Sequence, residues 1–353
     1  MSNRQIPGSA HHGERTNDPR AELVDPRVAE LSRVRAIHTA RAQGRTDRRL
    51  GCRRHSSLPP PLSPFSWCSP AVMQQLRTVA AARPVASFFV LAYAISWLAW
   101  SLPILSADDA LGTVGFVVGG FGPAVAAAVV TRLAGDSLRA WARPIVRWRV
   151  SARWYLTAFA VPVVVVAAAS VGLVLLGAPV EFSVLPGRLT AVLTGYVFVA
   201  LVGGGNEEPG WRGFALPRLQ ERHAPVPATL LLGVVWAFWH LPLLATDPGA
   251  LTGLTSLADL GPTVVLPVLN IVGFAFLLTW IYNATGSVLL ALLMHAGFNT
   301  ANSTLVPLPF EALLGGSSTA VLVTVTVAVW VVALLLVVAT RGRLGFDGRG
   351  APP

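Results

Sequence analysis

The chain has 353 residues, of which 53% are hydrophobic and only 12% charged, with a mean hydropathy of +0.59. Soluble globular domains carry about a quarter charged residues, so this composition excludes an ordinary soluble enzyme, and two cysteines exclude a disulfide scaffold. An all-α, polytopic membrane protein remains. The formal net charge of +10 rests on 27 arginines without a lysine. Fourteen of them precede residue 84 and most of the others stand between hydrophobic blocks, where arginine marks cytoplasmic loops. That distribution argues against a nucleic-acid partner.

Residues 1–70 are polar and Arg-rich, with His11-His12 and the stretch Pro59-Pro60-Pro61. They hold too little apolar surface to offset the entropy of ordering, so residues 1–72 read as a disordered tail. Met73 stands just ahead of the first long apolar block. It is the expected working start, which would make the tail an over-called start or a dispensable extension. Cys52 and Cys68 lie outside the membrane blocks, so no disulfide or thiolate site organises the core. The transmembrane domain is expected over 73–345, with a short tail at 346–353.

Eight hydrophobic runs fit a bilayer core of roughly 30 Å: 85–105, 111–131, 154–177, 188–206, 227–246, 262–282, 286–306 and 317–339. Arginine orients them. Arg132, Arg139, Arg143, Arg147, Arg149 and Arg153 follow the second run, Arg212, Arg218 and Arg222 the fourth, and Arg341, Arg343 and Arg349 the last. The odd-numbered connections hold Asp108, Asp109, Glu181, Asp247, Asp259 and Glu311 and no arginine until Arg188, at the start of the fourth run. Both termini should therefore be cytoplasmic in a multi-pass protein of the cell membrane. Gly115, Gly119, Gly120 and Gly122 should allow close helix approach.

Ionisable groups inside membrane segments are costly and usually functional. Here they gather between residues 205 and 303: Glu207, Glu208, Arg212, His240 and His295, with the amides Asn299 and Asn302. In Asn206-Glu207-Glu208-Pro209-Gly210-Trp211-Arg212, two adjacent carboxylates repel. Arg212 lies four residues after Glu208 and can pair with it, which points Glu207 elsewhere for acid–base work. Pro209 removes the amide that would bond the Gly205 carbonyl, so the helix should kink or restart here. His240 lies some fourteen residues into the fifth run, roughly 20 Å from its cytoplasmic end. His295, Asn299 and Asn302 share one helix face. A carboxylate pair, two buried histidines and an amide suffice to activate a water and stabilise an oxyanion. Polar glue between helices is the plainer reading of Asn302, and surface exposure that of His223.

The order Glu207-Glu208-x-x-x-Arg212, then Trp236-x-x-x-His240, then His295-x-x-x-Asn299 resembles the CPBP family of intramembrane endopeptidases, the CAAX prenyl protease and bacteriocin-processing (Abi) proteins. The likeness covers about 190–305, and the Glu-Glu-Pro-Gly-Trp-Arg-Gly wording is typical of bacterial members. One departure is Trp236, where the family usually has Phe. The resemblance implies that Glu207 is the base and His240 its partner in activating water, with His295 and Asn299 stabilising the tetrahedral intermediate. Glu208 and Arg212 would fix the first motif, with Trp236 in a packing role. It implies a membrane-associated peptide or protein as substrate and the lipid bilayer as surroundings.

Zinc held by His240, His295 and Glu208, with Glu207 activating the water, is a second possibility for the same residues. The chain has no His-Glu-x-x-His helix, and Asn299 shares the face of His295. These features favour a mechanism without a cofactor. The competing functions are a non-cleaving immunity or scaffold protein, which could lose Glu207 or His240 freely, and a small transporter, which should show internal repeats.

Overall fold

The computed structural model describes residues 69–105, 108–244, 256, 259–309 and 318–347. The tail expected to be disordered lies outside the described residues up to position 68. Among the described residues the fold is all-helical, with 81% helix and no strand.

The first helix begins inside the stretch expected to lack structure. α1, Pro70–Ala82, starts where Ser69 accepts the Val72 amide at 3.3 Å and proline opens the first turn. α2, Pro84–Leu105, packs against α3, Asp109–Gly120, and α4, Gly122–Ala134. The expected second run is thus two helices, bent by 46° at Phe121, with Pro123 opening the second. The glycines of this stretch do bring helices close: a side chain on Gly119 would run into the Trp100 ring. α5, Leu138–Ala142, is a short turn in the Arg-rich connection, and α6, Ala152–Leu175, follows it.

α7, Leu189–Leu201, buries none of its residues. It ends five residues before the expected boundary, because Gly204 at φ 138 turns the chain. The next segment, α8, is composite: a 3-10 turn Gly205–Glu207, a helical turn Glu208–Gly210, a π-helical turn Trp211–Ala215 and a last helical turn Leu216–Gln220. The restart at Glu208 is the one Pro209 dictates. α9 is Pro225–Trp239 and α10 the short Leu241–Leu244. α11, Leu266–Thr285, is the central strut, burying most of its length from Val272 onward between α9 and α13. Gly286 in the left-handed region ends it, and Ser287 caps α12, Val288–Thr304, by accepting the Leu290 amide at 3.3 Å. α13 is Ser318–Ala339.

Among the described residues six helical segments are long and apolar enough to cross a bilayer, seven if α3 and α4 form one broken span, so the expected eight is not confirmed. The seventh run forms α12, whose 17 residues reach about 25 Å, the lower limit for the roughly 30 Å core. α12 packs against α6 and α7, inside the bundle.

Candidate active site

Four elements converge on the polar residues: α8, the end of α9, α11 and α12. Glu207 and Glu208 are 5% and 0% exposed and Arg212 is 0% exposed. At such depth a charged group costs free energy unless it is paired or hydrogen-bonded. Arg212 Nη1 donates to Glu208 Oε1 at 3.0 Å, the i, i+4 pair read from the sequence. His295 Nδ1 lies 2.7 Å from the same oxygen and donates to it. The Arg212 guanidinium also stacks over the Trp236 ring, 4.5 Å from its centroid. Glu208 is thus charge-paired within α8 and tied to α12 by the His295 imidazole.

Glu207 has different neighbours. Its Oε2 accepts the indole N–H of Trp211 at 3.2 Å and that of Trp236 at 2.7 Å. Its Oε1 faces His240 Nε2 at 4.0 Å, beyond hydrogen-bonding reach. His240 Nδ1 lies 2.9 Å from the Trp236 carbonyl, which only accepts, so Nδ1 carries a proton. In the neutral ring Nε2 then presents a lone pair towards Glu207 Oε1. His240 is the C-terminal cap of α9, at the end of the helix remote from Pro225, with its backbone N–H on Ala237 O and its side chain 25% exposed.

On α12, His295 is wedged edge-on between Trp236 and Phe274, at 5.4 and 5.5 Å between ring centroids. Asn299 Nδ2 donates to Gly203 O at 3.2 Å, which ties α12 to the break after α7. Gly204 N in turn donates to Asn206 Oδ1 at 3.0 Å. Asn302 remains apart: its Oδ1 is buried and makes no hydrogen bond. His223 is exposed.

Several contributors were not singled out from the sequence. Trp211 stands four residues after Glu207, the spacing that revealed Glu208–Arg212, so the indole contact was available to the same rule. Trp236 had a packing role only, and its N–H bond to α8 is tertiary. Trp141 Nε1 holds Pro209 O at 3.1 Å. Arg188, at the start of α7, donates to the carbonyls of Thr304, Val306 and Leu308 and closes the far end of α12.

A shared metal needs lone pairs aimed at one point. His295 Nδ1 gives its proton to Glu208 Oε1, an oxygen also bonded to Arg212, so His295 Nε2 and Glu208 Oε2 are the atoms these two residues would turn to a metal. Among the described residues no three His, Cys, Asp or Glu side chains are grouped to hold a metal ion.

A carboxylate facing an imidazole, with a second imidazole and an amide one helix away, matches the order of motifs in the sequence. The family model for type II CAAX prenyl endopeptidases, Rce1-like, matches residues 189–301, the stretch that supplies every one of these groups. The likeness to that family is carried by residues 189–301. A relative named CAAX prenyl protease 2, from Methanococcus maripaludis, is 42% identical over 48 residues. That stretch is 14% of this chain and 18% of the relative's length. The Rce1-like segment begins at Leu189, the first residue of α7, and ends within α12. α1 to α6 and α13 lie outside it and rest on their own hydropathy and packing.

Proposed function

We propose that the chain is an intramembrane endopeptidase that hydrolyses a peptide bond of a membrane-associated peptide or protein, using a water held between Glu207 and His240. One observation carries the reading. Glu207 Oε1 and His240 Nε2 face each other at 4.0 Å, while Oε2 is occupied by two indoles and Nδ1 by a carbonyl. Two acceptors at that spacing suit a water that donates a hydrogen to each. Its oxygen lone pairs then point away from both groups, towards an incoming carbonyl carbon.

In the hydrolysis the water oxygen bonds to the carbonyl carbon and Glu207 takes up the released proton, with His240 as its partner. As the C–N bond breaks, a proton passes to the departing nitrogen. His295 and Asn299 stabilise the oxyanion. Because His295 Nδ1–H is given to Glu208, its Nε2 donates only when the ring holds both protons, and the Glu208 carboxylate is the counter-charge for that form. Arg212 and Glu208 hold the first motif in place. In the cell membrane both termini would be cytoplasmic, following the arginine distribution.

The test uses purified full-length protein in liposomes with membrane-inserted test peptides in water enriched in oxygen-18. Cleavage that places one heavy oxygen in the new carboxyl, lost in His240→Ala with folding retained, supports the reading. A wild-type protein that binds such peptides without cutting any of them makes it a scaffold or immunity protein and ends the hydrolase reading.

A further inference from the structure

Gly204 has two properties that its role as a chain break does not require together. Its φ of 138 is one that residues with a side chain rarely adopt. A Cβ built there would also lie 2.8 Å from His295 Nε2 and 2.8 Å from Asn299 Nδ2. At two other positive-φ glycines, Gly135 and Gly177, a Cβ would meet nothing within 4 Å, and at Gly345 it would meet Ala284 at 3.1 Å.

The two distances also fix how the nitrogens stand. Both lie 2.8 Å from one point, so they are at most about 5.6 Å apart (twice 2.8), and one oxygen can reach both at hydrogen-bond length. Each can donate, His295 Nε2 when its ring holds both protons. Asn299 Nδ2 spends one hydrogen on Gly203 O and keeps the other. His295 Nε2 carries no bond of its own among those its ring makes. Asn299 is only partly buried, so this side of the pair is reachable.

We infer that Gly204 is the floor of the pocket for the scissile carbonyl oxygen: its bare Cα lets that oxygen approach His295 Nε2 and Asn299 Nδ2 together. The inference rests on the hydrolase reading and deepens it by naming the residue the substrate carbonyl lies against. A methyl group at 204 takes the position from which one atom touches both donors, so the substrate still binds along the site while its carbonyl loses the donor pair. Losing a single oxyanion donor costs about 10²–10³ in rate, so blocking both should lower turnover by at least about 10².

The test is Gly204→Ala in liposomes, read as kcat and KM separately, with Gly177→Ala as the control for backbone strain without crowding. The expected result is a kcat fall of at least about a hundredfold with KM within a few-fold, and a Gly177→Ala enzyme close to wild type. A Gly204→Ala enzyme that folds and turns over at the wild-type rate overturns the inference. Should Gly204→Ala fail to fold, the wild-type enzyme carries the test with a peptide whose scissile carbonyl is a thiocarbonyl. The larger sulfur, unable to seat against Gly204, leaves the peptide bound and uncut; cleavage at the oxo-peptide rate overturns the inference. A wild-type protein that cuts nothing refutes the hydrolase reading itself, whereas an active wild type beside an active Gly204→Ala refutes only this deeper step.

Discussion

Glu207 and Glu208 are neighbours in the chain and both are buried, yet the regions around them are built to different ends. On the Glu208 side, one carboxylate oxygen is shared by a buried guanidinium of the same helix and an imidazole of α12. On the Glu207 side, two neutral indole N–H groups hold one oxygen and leave the other facing a histidine across 4.0 Å. Full charge compensation serves structure, because a paired ion in an apolar interior has no reason to change state. Neutral donors orient a carboxylate while leaving its charge uncompensated and reactive. Under the proposed function one helix thus places a fixed and a working carboxylate side by side, with the π-helical turn at Trp211–Ala215 presenting Trp211 to one and Arg212 to the other.

The sharpest way to break this contrast is to remove a partner on the structural side. Arg212→Ala strips the cation from a fully buried Glu208, and the loss should be about 3–5 kcal/mol, seen as a large drop in thermal midpoint or failure to accumulate. Retained stability would mean that Glu208 is not held by charge. Next in size is Asn299→Ala, expected to lower kcat by about 10²–10³ with little change in unfolding, measured on the same liposome preparation. The indoles should give the smallest effects and a definite order. Trp236→Phe keeps an aromatic ring and loses the 2.7 Å bond, for a kcat fall of roughly tenfold at steady KM. Trp211→Phe loses the 3.2 Å bond and should cost less. A reversed order would show that ring packing, not the N–H bond, is what Glu207 needs.

How much of this was legible in the sequence depended on whether the governing interaction was local. Hydropathy placed a helix in each expected run, and the i, i+4 spacing paired Glu208 with Arg212, because both follow from residues a turn apart. The break at Gly204 and the shortness of α12 were missed, since an apolar run does not show where the backbone turns. α1 was missed although Ser69-Pro70 is a helix-start pattern, because the composition of the preceding seventy residues outweighed it. The bonds from Trp236 to Glu207, Arg188 to the end of α12 and Asn299 to Gly203 join positions far apart in the chain. No spacing rule reaches them, and they decide the geometry of the site.

The most direct measurement compares Glu207→Gln with Glu208→Gln, each assayed for peptide cleavage and for thermal unfolding in the same lipid. A glutamine at 207 still accepts both indole N–H groups, so that protein should melt like the wild type and show no turnover. At 208 it leaves the Arg212 charge buried without a counter-ion, so that protein should lose stability first and activity with it. The opposite pattern, a stable and inactive Glu208→Gln beside an active Glu207→Gln, would contradict the assignment of the working carboxylate to Glu207.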